Sequence, residues 1–367
     1  MKNAEAGKIW LCSVIIMGFG LVALYSATSD NVRVSQQVFF DQLFCAGLAL
    51  AIMYIFSRVN YRLSFDVAYI LYGLSLFFLL FVLVFGRSAL GATRWFSVGG
   101  VSFQPSELSK LTVIFFLARY FSTRNPKLSF DVRSSFYAGW RDLLFPFFIT
   151  LLSFALIFKQ PDLGTGLLVI GIFIVMLYAS GLDSKPFWAF LGFCAVMVPI
   201  GGHFLKPYQK DRLLVFLNPN IDPLGAGYTI IQSRIAIGSG QLFGKGWLSG
   251  TQNQLNFLPE RHTDFIFSVV GEEWGFLGAL FLLGAYFVLI YTGVNIAARV
   301  KDKFSHLVTV GIVTALTLQV TINMSMTMGL SPVVGITLPF ISYGRTSFVV
   351  FAIMVGILLN LSQRRSA

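Results

Sequence analysis

Charge is what this chain has least of. Asp, Glu, Lys and Arg make up 12% of its 367 residues, about half the share found in a soluble globular domain. Histidine is nearly absent too: of three, only His262 lies near other chemically useful side chains. No serine elbow accompanies it, so a nucleophilic triad has no support. The three cysteines, Cys12, Cys45 and Cys194, fall inside apolar runs with no metal-ligand spacing and read as packed or lipid-facing thiols. No Gly-x-x-x-x-Gly-Lys-Ser/Thr loop occurs, which argues against a nucleotide phosphate cradle. No internal repeat is strong enough to argue an inverted-repeat transporter.

Apolar residues fill the gap: 56% of the chain is hydrophobic, with 39 Phe. A helix needs about 20 residues to cross the hydrocarbon core. Apolar runs of that order lie near 9–27, 38–56, 67–85, 105–121, 143–158, 163–180, 187–205, 266–291, 306–328 and 340–361. The expectation is an all-α polytopic membrane protein of about ten transmembrane helices. No soluble domain is left over, so residues 1–367 read as a single integral membrane domain. The first run, Ile9 to Ala27, lacks a small-residue cleavage site and reads as an anchoring helix.

An even number of spans puts both termini on one side, and the positive-inside rule chooses the side. One set of segments carries Lys2, Lys8, Arg58, Arg62, Arg119, Arg124, Lys127, Arg133, Arg141, Lys185, Arg299, Lys301, Lys303, Arg364 and Arg365. The opposite short loops carry only Arg33, Arg87, Arg94, Lys159 and Arg345. Both termini are therefore expected in the cytoplasm. The long loop between helices 7 and 8, about 206–265, is then extracytoplasmic, as are Gly86–Gln104, Lys159–Asp162 and Gly329–Arg345. The net charge of +11 is scattered between apolar runs, so it fits topology and anionic lipid headgroups and not nucleic acid.

Within the long loop, Tyr228 to Ile237 mixes polar and apolar residues as a short interfacial helix would. Gly238, Gly240, Gly244, Gly246 and Gly250 follow, as tight turns or as points where backbone approaches a ligand. The loop ends in Leu258-Pro259-Glu260-Arg261-His262-Thr263-Asp264-Phe265-Ile266-Phe267, the densest polar cluster adjoining an apolar run. Ionisable groups at that depth are functional candidates. Asp264 also suits a helix N-cap or first turn, with Ser268 and Glu272 following on one stripe. Asp264, Glu260 and His262 match no strong metal-ligand motif.

Other candidates adjoin the outer loops. Glu107 and Lys110 are three apart at the start of the fourth span and share a helix face, which allows an ion pair or a lysine presented to pyrophosphate. Arg94-Trp95 offers a cation and an aromatic at headgroup level. Asp162, in Gln160-Pro161-Asp162-Leu163-Gly164-Thr165, sits where a helix cap is wanted. Gly329 to Gly344, which includes Ser342, has two prolines and three glycines between two spans and suggests a bent or re-entrant segment.

These motifs, with Gly246-Trp247-Leu248-Ser249-Gly250-Thr251-Gln252-Asn253-Gln254-Leu255, together resemble the SEDS family (shape, elongation, division and sporulation), and its elongation-type, RodA-like branch more than its division type. The resemblance covers essentially the whole chain. It implies a ten-helix peptidoglycan glycosyltransferase in the bacterial cytoplasmic (inner) membrane that polymerises lipid II on the outer face. It also implies a class B penicillin-binding protein as transpeptidase partner, within the cell-elongation complex. The family's essential aspartate corresponds to Asp264, its Arg-Trp pair to Arg94 and Trp95, and its Glu–Lys pair to Glu107 and Lys110. The chain departs from the family where Arg345 follows Ser342-Tyr343-Gly344, a position usually held by glycine.

Glycosyl transfer from a lipid diphosphate needs a base for the attacking hydroxyl and positive charge for the leaving group. On this reading Asp264 is the base, and Lys110, Arg94 or a divalent cation such as magnesium or manganese stabilises undecaprenyl diphosphate. Glu107 holds Lys110, and Glu260, Arg261, His262, Asp162 and Ser342 support or bind. The rivals are a flippase for the same lipid and a non-catalytic scaffold.

Overall fold

The computed structural model describes residues 2–29, 32–60, 62–89, 92–98, 101–123, 136–181, 184–203, 207–225 and 227–363. The basic residues Arg124, Lys127, Arg133, Arg364 and Arg365 used for orientation lie outside the described residues.

Helix dominates because long apolar runs leave the backbone no other way to satisfy its own N–H and C=O groups in lipid. The helices are α1 (Lys2–Ala27), α2 (Val32–Arg58), α3 (Arg62–Phe85), α4 (Pro105–Thr123), α5 (Phe136–Lys159), α6 (Leu163–Ala179), α7 (Ser184–His203), α8 (Pro207–Leu217), α9 (Tyr228–Ser239), α10 (Thr251–Gln254), α11 (Ile266–Arg299), α12 (Lys303–Thr327) and α13 (Arg345–Gln363). Among the described residues, six stretches are long and apolar enough to cross a membrane: Ala4–Ala27, Gln36–Arg58, Arg62–Phe85, Ile266–Arg299, Lys303–Thr327 and Arg345–Gln363. Shorter apolar helices occupy Leu143–Lys159, Leu163–Ala179 and Phe187–Val196. The chain is thus a multi-pass membrane protein.

The all-helical expectation needs one correction. The loop after α3 folds into a small antiparallel meander of β1 (Arg87–Ala89), β2 (Ala92–Val98) and β3 (Val101–Phe103). Its register sets Arg87 opposite Trp95 and Phe96 opposite Phe103. Phe96 packs edge-on against Phe81 of α3, ring centres 5.0 Å apart, and Phe103 lies 6.2 Å from Phe78. These aromatic contacts therefore bind the meander to α3, a pattern helical periodicity could not reveal.

The chain divides into two compact units. One comprises Met1–Ser57, Pro207–Thr292 and Leu316–Gln363; the other comprises Arg58–Lys206 and Gly293–Ala315. In the first, α1 lies against the entry to α13: a β-carbon added at Gly20 would stand 2.8 Å from the Cα of Ile341. Asn360 of α13 donates to the Ser57 carbonyl at 2.8 Å. In the second, α4 is the centre, with Glu107, Lys110 and nearly all its other residues buried. Hydroxyl bridges hold its neighbours: Thr112 Oγ1 to Ser75 Oγ at 2.9 Å, and Tyr72 to the Ile149 carbonyl at 2.7 Å. Such interhelical bonds contribute about 0.6 kcal/mol each in a membrane.

Candidate active site

Asp264 does not sit on the α11 ladder. The residues from Leu255 to Phe265 form successive turns, with Glu260 in the left-handed region at φ 50, and the helix opens only at Ile266. The expected stripe of Asp264, Ser268 and Glu272 is therefore broken up. Ser268 Oγ pairs with Ser233 Oγ of α9 at 2.7 Å, and Glu272 is wholly buried against Lys245, Nζ to Oε1 2.8 Å. Asp264 is only part-buried.

The turn is held from outside through three successive carbonyls. The backbone N–H of Tyr343 donates to the His262 carbonyl at 2.9 Å, Ser342 Oγ to that of Thr263 at 2.5 Å, and Asn323 Nδ2 to that of Asp264 at 2.9 Å. Ser342, 2% exposed, also accepts from the Leu338 N–H at 2.7 Å. Its hydroxyl thus joins the turn to the segment between α12 and α13.

That segment, Ser331 to Gly344, is irregular yet largely buried through Ile336, Leu338, Phe340, Ile341 and Ser342. Non-helical backbone at such depth must have its polar groups satisfied by protein. Side chains do this: Asn323 Nδ2 to the Ile336 carbonyl at 2.6 Å, Gln319 Nε2 to that of Thr337 at 2.9 Å, Tyr286 to that of Pro339 at 2.5 Å. Arg345 pairs with Asp41 of α2 at 2.5 Å, and Tyr343 donates to the same carboxylate at 3.3 Å. Arg345 is thus engaged within the protein.

The other residues of the cluster have separate tasks. Arg261, 8% exposed, donates Nε to the Ala27 carbonyl and Nη1 to that of Asn253, both at 2.6 Å. It fastens the turn to α1 and α10. Glu260 is exposed and accepts from Thr263 Oγ1 at 3.1 Å. The His262 ring is part-buried, 6.2 Å from the Tyr343 ring. Among the described residues, no three His, Cys, Asp or Glu side chains come together to hold a metal ion.

In the glycine-dense stretch after α9, Gly240 and Gly244 lie close against the backbone of α11. α11 breaks at Gly275, φ 63 and ψ −158. The break frees the carbonyls of Glu272 and Glu273 and the N–H groups of Phe276 and Leu277. The loop takes all four: Lys245 and Gly246 N–H to the two carbonyls at 3.0 Å each, and the carbonyls of Gln241 and Leu242 from the two N–H groups at 2.8 and 3.1 Å. A β-carbon at Gly240 would lie 1.9 Å from the Gly271 carbonyl oxygen. α9 likewise turns Ile230, Ser233 and Ala236 inward, and Ser233 donates to the Thr327 carbonyl at 2.5 Å.

The second unit gathers the remaining candidates. Lys110 Nζ meets Glu107 Oε2 at 2.9 Å, both side chains buried. Asp162 caps α6 by accepting from the Thr165 N–H at 3.4 Å, while its other oxygen accepts from Gln104 Nε2 at 3.1 Å and Ser106 Oγ at 2.9 Å. It ties α6 to the start of α4. Arg94 of β2 donates Nε to the Gln160 carbonyl at 3.3 Å and also bonds the Pro161 carbonyl. Trp95, beside it, is part-exposed. Arg94 and Asp162 thus meet at the turn before α6, which Asp162 joins to Ser106 in the first turn of α4, beside the Glu107–Lys110 pair. Asn323 and Gln319 were missed by sequence reasoning; their i, i+4 spacing inside an apolar run was the available signal.

Known proteins resemble this chain along nearly its whole length. Residues 7–367 match the family model described as Cell cycle protein, of the FtsW, RodA and SpoVE type. The chain is 38% identical over 356 residues to peptidoglycan glycosyltransferase MrdB of Escherichia coli K12, covering 97% of this chain and 92% of that protein. It is 36% identical to stage V sporulation protein E of Bacillus subtilis, over 96% of this chain and 95% of the other. Among solved structures, one described as a peptidoglycan synthase complex that coordinates polymerization and crosslinking superposes with a TM-score of 0.80 at 32% identity, covering 96% of each chain. The rod shape determining protein RodA of Thermus thermophilus gives 0.69 at 30% identity, over 96% and 95%. The chain belongs to the SEDS family, the FtsW/RodA/SpoVE proteins.

Proposed function

We propose that this chain is the peptidoglycan glycosyltransferase that polymerises lipid II into glycan strands at the outer face of the inner membrane during cell elongation. The observation that carries the reading is the construction around Asp264: a part-buried residue on a turn whose three successive carbonyls are each tied from outside. A base must be held in place and reachable, and a fixed turn carrying a part-buried aspartate supports that role. Its proposed partner is a class B penicillin-binding transpeptidase, a reading supported by the likeness to a chain from a peptidoglycan synthase complex.

In the reaction, the acceptor sugar's 4-hydroxyl gives its proton to the Asp264 carboxylate. Its oxygen forms a bond to the donor's anomeric carbon as the bond from that carbon to the diphosphate breaks. Undecaprenyl diphosphate leaves with the electron pair. Lys110, held by Glu107, and Arg94 are the cations assigned to the leaving charge. A diphosphate is a good enough leaving group that one carboxylate suffices, where glycoside hydrolysis needs two. Among the described residues no three ligating side chains come together, so a divalent cation would be held mainly by the substrate diphosphate with one or two carboxylates, where it would neutralise leaving charge. Arg261 and Ser342 position the turn; Glu260 and His262, on the same turn, are assigned supporting roles.

The same reading makes residues 1–367 one membrane domain of ten spans, with both termini cytoplasmic and the 206–265 loop outside. The test is to incubate purified protein, with and without its transpeptidase, with lipid II alone and to run the products on a gel. Glycan strands are expected. Lipid II moved across a vesicle membrane but never polymerised would instead support the flippase.

A further inference from the structure

Asn323 lies wholly buried on α12, and nothing in the preceding reaction uses it. Its amide nitrogen makes two bonds at once, to the Asp264 carbonyl at 2.9 Å and to the Ile336 carbonyl at 2.6 Å. Its Oδ1 is buried with no hydrogen-bond partner. All that the side chain contributes here it contributes as a donor, twice. We infer that Asn323 is a positioning residue for Asp264, fixing the peptide that carries the base against the irregular segment between α12 and α13. The inference rests on the reading of Asp264 as the base.

The chemistry of the side chain makes the assignment specific. An amide NH2 offers two donors from one short stem. Serine offers one. Aspartate keeps the shape but offers none when ionised, and it sets carboxylate oxygens against two carbonyl oxygens. With no partner on Oδ1, the carboxylate gains nothing in exchange.

The loss falls on the Asp264 side of the bridge. Gln319, one turn earlier on α12, still holds the neighbouring Thr337 carbonyl at 2.9 Å, so the irregular segment keeps an anchor when Asn323 changes. The Asp264 carbonyl, lying in turns and not in a helix, loses its bond to Asn323, while Tyr343 and Ser342 keep only the two preceding carbonyls, of His262 and Thr263. Displacing a reacting group by about 1 Å costs on the order of 100-fold in rate. Substrate affinity, set by contacts elsewhere, should hardly move.

The experiment measures lipid II polymerisation by the full-length protein with its transpeptidase, for wild type, Asn323→Asp, Asn323→Ser and Asp264→Asn, per folded molecule. Asn323→Asp is expected to lower kcat by about 100-fold with KM for lipid II changed by no more than about twofold. Asn323→Ser, with one donor left, should fall between it and wild type. If both variants keep wild-type kcat while Asp264→Asn is inactive, the positioning role is wrong and the base assignment stands. If Asp264→Asn is active, the base assignment fails and this inference fails with it. A defect confined to yield of folded protein, with kcat per folded molecule unchanged, also overturns it.

Discussion

Lys110 is 1% exposed with Glu107 at 2.9 Å, and the energetics of such a pair are asymmetric. Removing one partner strands a buried charge and costs about 3–5 kcal/mol, whereas replacing both with apolar groups is often neutral. Glu107→Ala should therefore lower the Tm in detergent sharply, while Glu107→Leu with Lys110→Met should restore it. If Lys110 serves the leaving diphosphate, the stable double variant still makes no glycan strands. Full activity in it would reduce the pair to a structural role. This ion pair was legible from the sequence because three-residue spacing fixes a helix face. Asn323 was not, since its importance comes from two carbonyls, at 264 and 336, that only the fold brings together.

At the scale of elements, the break in α11 organises the loop before the Asp264 turn. Gly275 holds φ 63, and a β-carbon there would stand 2.4 Å from the Gly244 nitrogen. Gly275→Ala combines left-handed strain of about 1–3 kcal/mol with that clash. It is expected to lower Tm and to expose the 240–250 loop to limited proteolysis; an unchanged digestion pattern would show that the loop does not depend on the break. The density of glycine was visible in the sequence, but its cause was not. Close approach of backbone to a ligand and to a broken helix leave the same composition. Asp264 drops out of the stripe with Ser268 and Glu272 for a related reason: 3.6-residue spacing applies only where the chain is helical, and the turns run to Phe265.

At the scale of the whole molecule, composition and run length made the multi-pass membrane class legible, and most expected spans correspond to helices. The span expected at 105–121 is helical but is not among the stretches apolar enough to cross on composition. It carries Glu107, Lys110 and Arg119 and hides the first two inside its unit. The β-meander escaped notice because three short strands leave a weaker pattern than one apolar helix. Orientation can be tested with cysteines in a background lacking the native three. Leu224→Cys, at a position 89% exposed, should react with a membrane-impermeant maleimide on intact spheroplasts, and Lys301→Cys only after permeabilisation. The reverse pattern would put the 206–265 loop, and Asp264 with it, in the cytoplasm. The central claim, that Asp264 takes the acceptor's proton, is tested most directly by the turnover of purified Asp264→Asn on lipid II, with its Tm and transpeptidase binding measured alongside. The account predicts no detectable glycan strands from a folded, partner-binding protein; strands formed at the wild-type rate would contradict it.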